Sequence, residues 1–193
     1  MRLFKALVRP HLEYGACIWN PHHKELINII ENVQRRATKQ VPELRDLSYE
    51  ERLRKINFPT MAYRRLRGDM IETYKILTKK YDCKLPHVLN LNNNEANNRP
   101  LRGNALKLYK NRARLDIRKY QFSHRVVDTW NTLPDRVVTC KTTLAFERNL
   151  DKHWYTLPLR FNYKAEQPQQ IRRKPRSNNE ELSTEDYLSS ESS

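Results

Sequence analysis

The sequence predicts a mainly α-helical protein with one small β-hairpin and a disordered C-terminal tail. Three observations predict it. In four stretches apolar residues recur at spacings of three and four, which gives a helix one buried face. One stretch, from Arg112 to Arg118, instead alternates polar and apolar residues strictly, the period of a half-buried strand. Beyond Tyr163 the chain carries too few apolar residues to build a core of its own.

Taken in order, Leu3, Leu7 and Val8 share one side of a short helix that Pro10 breaks or kinks. Leu12, Tyr14, Ile18 and Trp19 follow as a compact apolar segment ending at Asn20-Pro21. Core-like residues directly after Met1 give the expectation that the chain begins inside a domain. Residues 23 to 41 form the clearest helix, with Leu26, Ile30, Val33 and Ala37 as its stripe, widened by Ile27 and Ile29. Ser48 and Glu51 have the spacing of a capping box and open a short helix through Leu53 and Ile56. Thr60 caps a long helix to about Lys80, with Tyr63, Leu66, Met70, Tyr74 and Leu77 on its buried face. Six asparagines between Asn90 and Asn98 mark residues 83–98 as a linker between two subdomains, 1–82 and 99–163.

In the second subdomain Leu106 and Leu108 echo the alternation. A turn at Lys110-Asn111 joins them to the strand 112–118 as a hairpin, with Ala113, Leu115 and Ile117 on the inner face. Phe122, Val126, Trp130 and Leu133 then follow a helical period, stopped by Pro134. Pro134 to Val138 reads as a single turn. Thr142 or Thr143 opens a last helix carrying Phe146, Leu150 and Trp154. The disordered tail spans 164–193, and its cluster Arg172-Arg173-Lys174-Pro175-Arg176 reads as a nuclear address or a nucleic-acid arm.

Charge points to the partner. The 193 residues carry a net charge of +15. Beyond Tyr163 lie five basic and six acidic residues, so the first 163 hold 32 basic against 16 acidic. Such an excess predicts a polyanion: RNA, DNA or an RNA–DNA hybrid. No apolar run approaches the roughly 18 residues of a membrane span, so a membrane is not the expected partner. The three cysteines are odd in number and far apart, which predicts a reducing intracellular setting. Three scattered glycines build no phosphate-cradling loop. Cys17 with His22-His23, and Cys83 with His87, each supply half a zinc site. No Asp-Asp pair offers the close carboxylates of a two-metal centre, so no cofactor is expected in this chain.

Three clusters are candidate backbone contacts. Residues 99 to 119 hold eight basic residues against Asp116 alone; of these Arg99, Arg102, Lys107, Arg112, Arg114, Arg118 and Lys119 are candidates. Arg64, Arg65 and Arg67 crowd the first turns of a helix, where the dipole disfavours positive charge. Asp69, Glu72 or a bound phosphate would offset that cost. Arg35, Arg36 and Lys39 end the helix of residues 23 to 41, where they complement its C-terminus or meet a backbone. Tyr109 and Tyr120 beside the basic strand stack on unpaired bases or simply pack.

Four blocks carry a resemblance: Leu7-Val8-Arg9-Pro10-His11-Leu12-Glu13-Tyr14-Gly15, Glu31-Asn32-Val33-Gln34-Arg35-Arg36-Ala37-Thr38, Tyr63-Arg64-Arg65-Leu66-Arg67-Gly68-Asp69 and Trp130-Asn131-Thr132-Leu133-Pro134. In this order they resemble the region downstream of the catalytic palm in reverse transcriptases of LINE-type (non-LTR) retrotransposons, across roughly residues 3 to 154. The resemblance implies a helical, thumb-like bundle that grips a template–primer duplex. The RNA-directed DNA polymerase chemistry and its Mg would belong to an upstream segment, a possible partner. The family's metal-binding aspartates have no counterpart in this chain. A non-catalytic scaffold for acidic proteins, or the remnant of a decayed element, is the alternative.

Overall fold

The computed structural model describes residues 1–81, 89–92 and 106–168. The architecture is helical. A π-helical turn, Phe4–Val8, runs into α1 (Arg9–Glu13), with Pro10 at the start of α1, where a missing N–H costs nothing. There follow α2 (Ala16–Trp19), α3 (Lys24–Lys39), α4 (Tyr49–Lys55), α5 (Met61–Leu77), α6 (Asp116–Lys119), α7 (Phe122–Asn131), α8 (Asp135–Val138) and α9 (Thr143–His153). Among the described residues no helix is long and apolar enough to cross a membrane.

The helix starts follow their caps. Ser48 accepts from the Glu51 N–H while the Glu51 carboxylate takes the Ser48 N–H, a complete capping box on α4. Thr60 accepts from the Tyr63 N–H and Thr142 from the Ala145 N–H, opening α5 and α9.

The long helix α5 is the spine. Its Tyr63, Leu66, Met70 and Tyr74 meet Val126, Val127 and Trp130 of α7 and Phe146 and Leu150 of α9 in the larger core. Tyr74 stacks on Phe146 with ring centroids 4.4 Å apart, and its hydroxyl donates to the Cys140 carbonyl at 2.6 Å. This core draws from both sides of the expected linker, 83–98, most of which lies outside the described residues. A smaller cluster of Phe4, Leu53 and Phe58, backed by Val33 and Ala37, sits under the N-terminal helices.

Two expectations are corrected. The hairpin does not form. Leu108 makes one isolated antiparallel bridge, to Leu91. Its own N–H and carbonyl are both taken by the Asn131 side chain at 2.9 Å, which stands in for a neighbouring strand. Residues 112 to 114 run without helix or strand, and Asp116 to Lys119 make a helical turn. Leu115 and Ile117 point to solvent, 68 % and 83 % exposed. Period two shows only that two faces differ. A strand also needs a partner edge and an apolar surface to cover, and here α5, α7 and α9 have already closed the core.

The second correction concerns α3. Leu26 and Ile29 of the expected stripe are exposed, whereas Glu31, Gln34 and Thr38 are buried. Glu31 accepts hydrogen bonds from the Tyr49 hydroxyl (2.5 Å) and from the Met61 (3.0 Å) and Ala62 (3.4 Å) N–H groups. Gln34 donates to the Tyr49 hydroxyl oxygen and to the Pro59 carbonyl. The buried face of α3 is thus a polar seam that satisfies the free N–H groups at the start of α5. Of the expected tail 164–193, the first residues depart from disorder, since Ala165 packs against the larger core and the Thr129 hydroxyl donates to the Pro168 carbonyl at 3.0 Å; the rest, from Gln169 on, and the candidates Arg99 and Arg102 lie outside the described residues.

Candidate nucleic-acid interface

The three arginine clusters separate once folded. Arg64 is paired with Glu13 through both its Nε and a terminal nitrogen. Arg67 forks onto Asp151 (2.6 and 2.9 Å) and reaches Glu147. Arg65 is buried, lies 4.0 Å from the centroid of the Trp19 ring, and donates to the Leu12 carbonyl and the Asn20 side chain. Burial pulls its pKa down to about 10. The charge crowding the start of α5 is therefore balanced from other elements, by Glu31, Glu13, Glu147 and Asp151. Of the two acids named from sequence, Asp69 pairs with Arg125 and Glu72 with Lys75. Arg65 is 4 % exposed and serves as an interior tie between α5 and the α1–α2 segment.

Arg35 bridges Asn32 and the Tyr163 hydroxyl between the Tyr49 and Tyr163 rings, a packing role. Arg36 and Lys39 stand exposed on α3, and neither lines the groove described below. Lys107 is half-buried, and its carbonyl accepts the Asn92 N–H.

Arg112, Arg114 and Arg118 come together. They line an open groove of about 1120 Å³ to which Ile18, Asn20 and His22 also contribute from a distant part of the chain. None of the three makes an ion pair among the described residues. The two segments meet where the His22 and Tyr120 rings stack, 3.8 Å apart and 6° from parallel. A second cavity of about 350 Å³ continues from there, with Asn20, His22 and Tyr120 lining both spaces and Lys119 lining the inner one. Tyr109 is exposed, whereas Tyr120 spends a ring face on His22.

One residue that sequence reasoning passed over holds the walls in place. Arg125 of α7 donates to both Asp69 oxygens (2.8 and 3.0 Å), to the Ala16 and Cys17 carbonyls at the start of α2, and to the Tyr120 carbonyl. The α2 wall and the Tyr120 wall are thereby fixed to α5 through one guanidinium. Its sequence signal was slight, a single basic residue on a helix otherwise read for its apolar stripe. Of the two half zinc sites, Cys83 and His87 lie outside the described residues, and His22 stacks on Tyr120; among the described residues no three His, Cys, Asp or Glu side chains gather as a metal-holding group. Chemically the groove offers fixed positive charge, an aromatic junction and exposed aliphatic surface. No protein-family model, no curated protein and no solved structure matches the chain.

Proposed function

We propose that this chain binds nucleic acid through the groove of Arg112, Arg114 and Arg118, as the part of a LINE-type retrotransposon reverse transcriptase that follows the catalytic palm. The observation that carries the reading is three guanidinium groups in one open groove without an ion pair among the described residues, whereas Arg64, Arg65 and Arg67 are tied to acids or carbonyls. Cations left facing water on a shaped surface are suited to phosphates, which bind by releasing condensed counterions. The retrotransposon part of the proposal rests on the four sequence blocks. Each carries a structural joint: the Gly15 turn, Glu31 at the start of α5, the spine α5 itself, and Asn131 at Leu108.

The test is binding of the chain to a labelled RNA–DNA hybrid across a salt series. The slope of log K against log salt changes by about 0.9 for each phosphate contact on a duplex. The triple substitution R112A/R114A/R118A should flatten it by roughly 2.7. An unchanged slope refutes the assignment. Affinity no better than that of an unrelated protein of equal charge supports the scaffold alternative instead.

A further inference from the structure

We infer that the groove takes an unpaired strand of RNA or DNA, with bases laid against Ile18, Leu115 and Ile117 and phosphates held by Arg112, Arg114 and Arg118. The inference rests on the nucleic-acid reading above and names which form of nucleic acid enters.

A duplex hides its base faces by stacking and offers its surroundings phosphates, sugars and groove edges. A surface made for duplex alone therefore needs cations and polar groups. This groove has those, and it also holds three aliphatic side chains that fold against nothing: Ile18 is 86 % exposed, with Leu115 and Ile117 lining the same groove. Along the chain Leu115 and Ile117 fall between Arg114 and Arg118, with Asp116 between them outside the groove lining, so the groove gathers aliphatic and cationic side chains from one short stretch. A single strand offers both phosphates for the cations and unstacked base faces for the apolar side chains. The His22–Tyr120 stack adds aromatic surface where the groove and the second cavity share their lining. Covering the aliphatic surface with base faces removes it from water, and that gain is absent when the ligand is a duplex.

The experiment uses the whole chain and two labelled probes of equal length at one salt concentration: a 20-nucleotide single strand and a blunt 20-base-pair RNA–DNA hybrid. The single strand should bind about tenfold more tightly, the effect of removing roughly 55 Å² of apolar surface from water. The double substitution L115S/I117S should abolish that advantage while leaving hybrid binding unchanged. Both positions are on the surface, so the helical circular dichroism should not move. R112A/R114A/R118A should weaken both probes. Equal affinity for the two probes, or an equal loss on both in L115S/I117S, overturns the inference while the nucleic-acid reading stands. Binding of neither probe above a basic control protein overturns both, and assigns the groove to a protein partner.

Discussion

Arg125 and Asp69 form the most enclosed ion pair among the described residues, with the Asp69 side chain only 2 % exposed. Replacing Arg125 by methionine keeps most of the side-chain volume and removes the charge. Asp69 would then keep only the Asn20 side-chain hydrogen bond and the nearby Arg65 charge, and removing one partner of a buried pair costs up to about 3–5 kcal/mol. For a chain of this size that lowers the thermal midpoint by roughly 6–20 °C. Burial already holds the Asp69 carboxyl above its ordinary value even with Arg125 beside it, and removing Arg125 raises it further. A carboxyl whose folded value exceeds its unfolded one binds more protons when folded, so stability falls as pH rises through that interval. R125M should therefore regain stability towards acid, upward from a neutral-pH minimum. The double variant D69N/R125M, with no stranded charge, should be more stable at neutral pH than R125M alone. Urea titration followed by circular dichroism at several pH values measures all three proteins. A double variant no more stable than R125M, or a single-variant loss below about 1 kcal/mol, refutes the account of a buried charge held chiefly by the Arg125 guanidinium.

Glu31 follows the same sign. Burial raises its carboxyl above 4.5 despite three donors, so the native protein should lose stability as pH climbs from that value, and E31Q should lack this slope in the same titrations. Gly15 sits at φ +64° between α1 and α2, and a Cβ there would come within 3.3 Å of the Trp19 ring. G15A should cost about 1–2 kcal/mol in the left-handed conformation alone, read as a lower urea midpoint with unchanged m. Arg67 is partly exposed and held by two acids, so R67A should lower stability by about 1 kcal/mol or less. It should leave the salt slope of nucleic-acid binding intact, and a flattened slope would place Arg67 in the interface.

The sequence by itself determined the parts of the fold whose physics is local. The α4 capping box, the Thr60 and Thr142 caps, and the apolar stripes of α5, α7 and α9 all involve residues within a few positions of one another, and their spacing is the signal. The excess of positive charge was equally legible, and so was the basic stretch that lines the groove. Only the tertiary structure decided which charges remain available. Arg64, Arg65 and Arg67 look like Arg112, Arg114 and Arg118 in sequence, yet the former meet Glu13, the Leu12 carbonyl and Asp151, brought from 51, 53 and 84 residues away. The buried face of α3 depended in the same way on Tyr49 and the start of α5, whose N–H groups made Glu31 a better interior residue than Leu26. Alternation at 112–118 needed a partner strand to become a hairpin. With the core closed by helices, the same alternation instead left arginines and aliphatic side chains together on the surface. Periodicity reports which residues differ from their neighbours, and long-range contacts decide what those differences face.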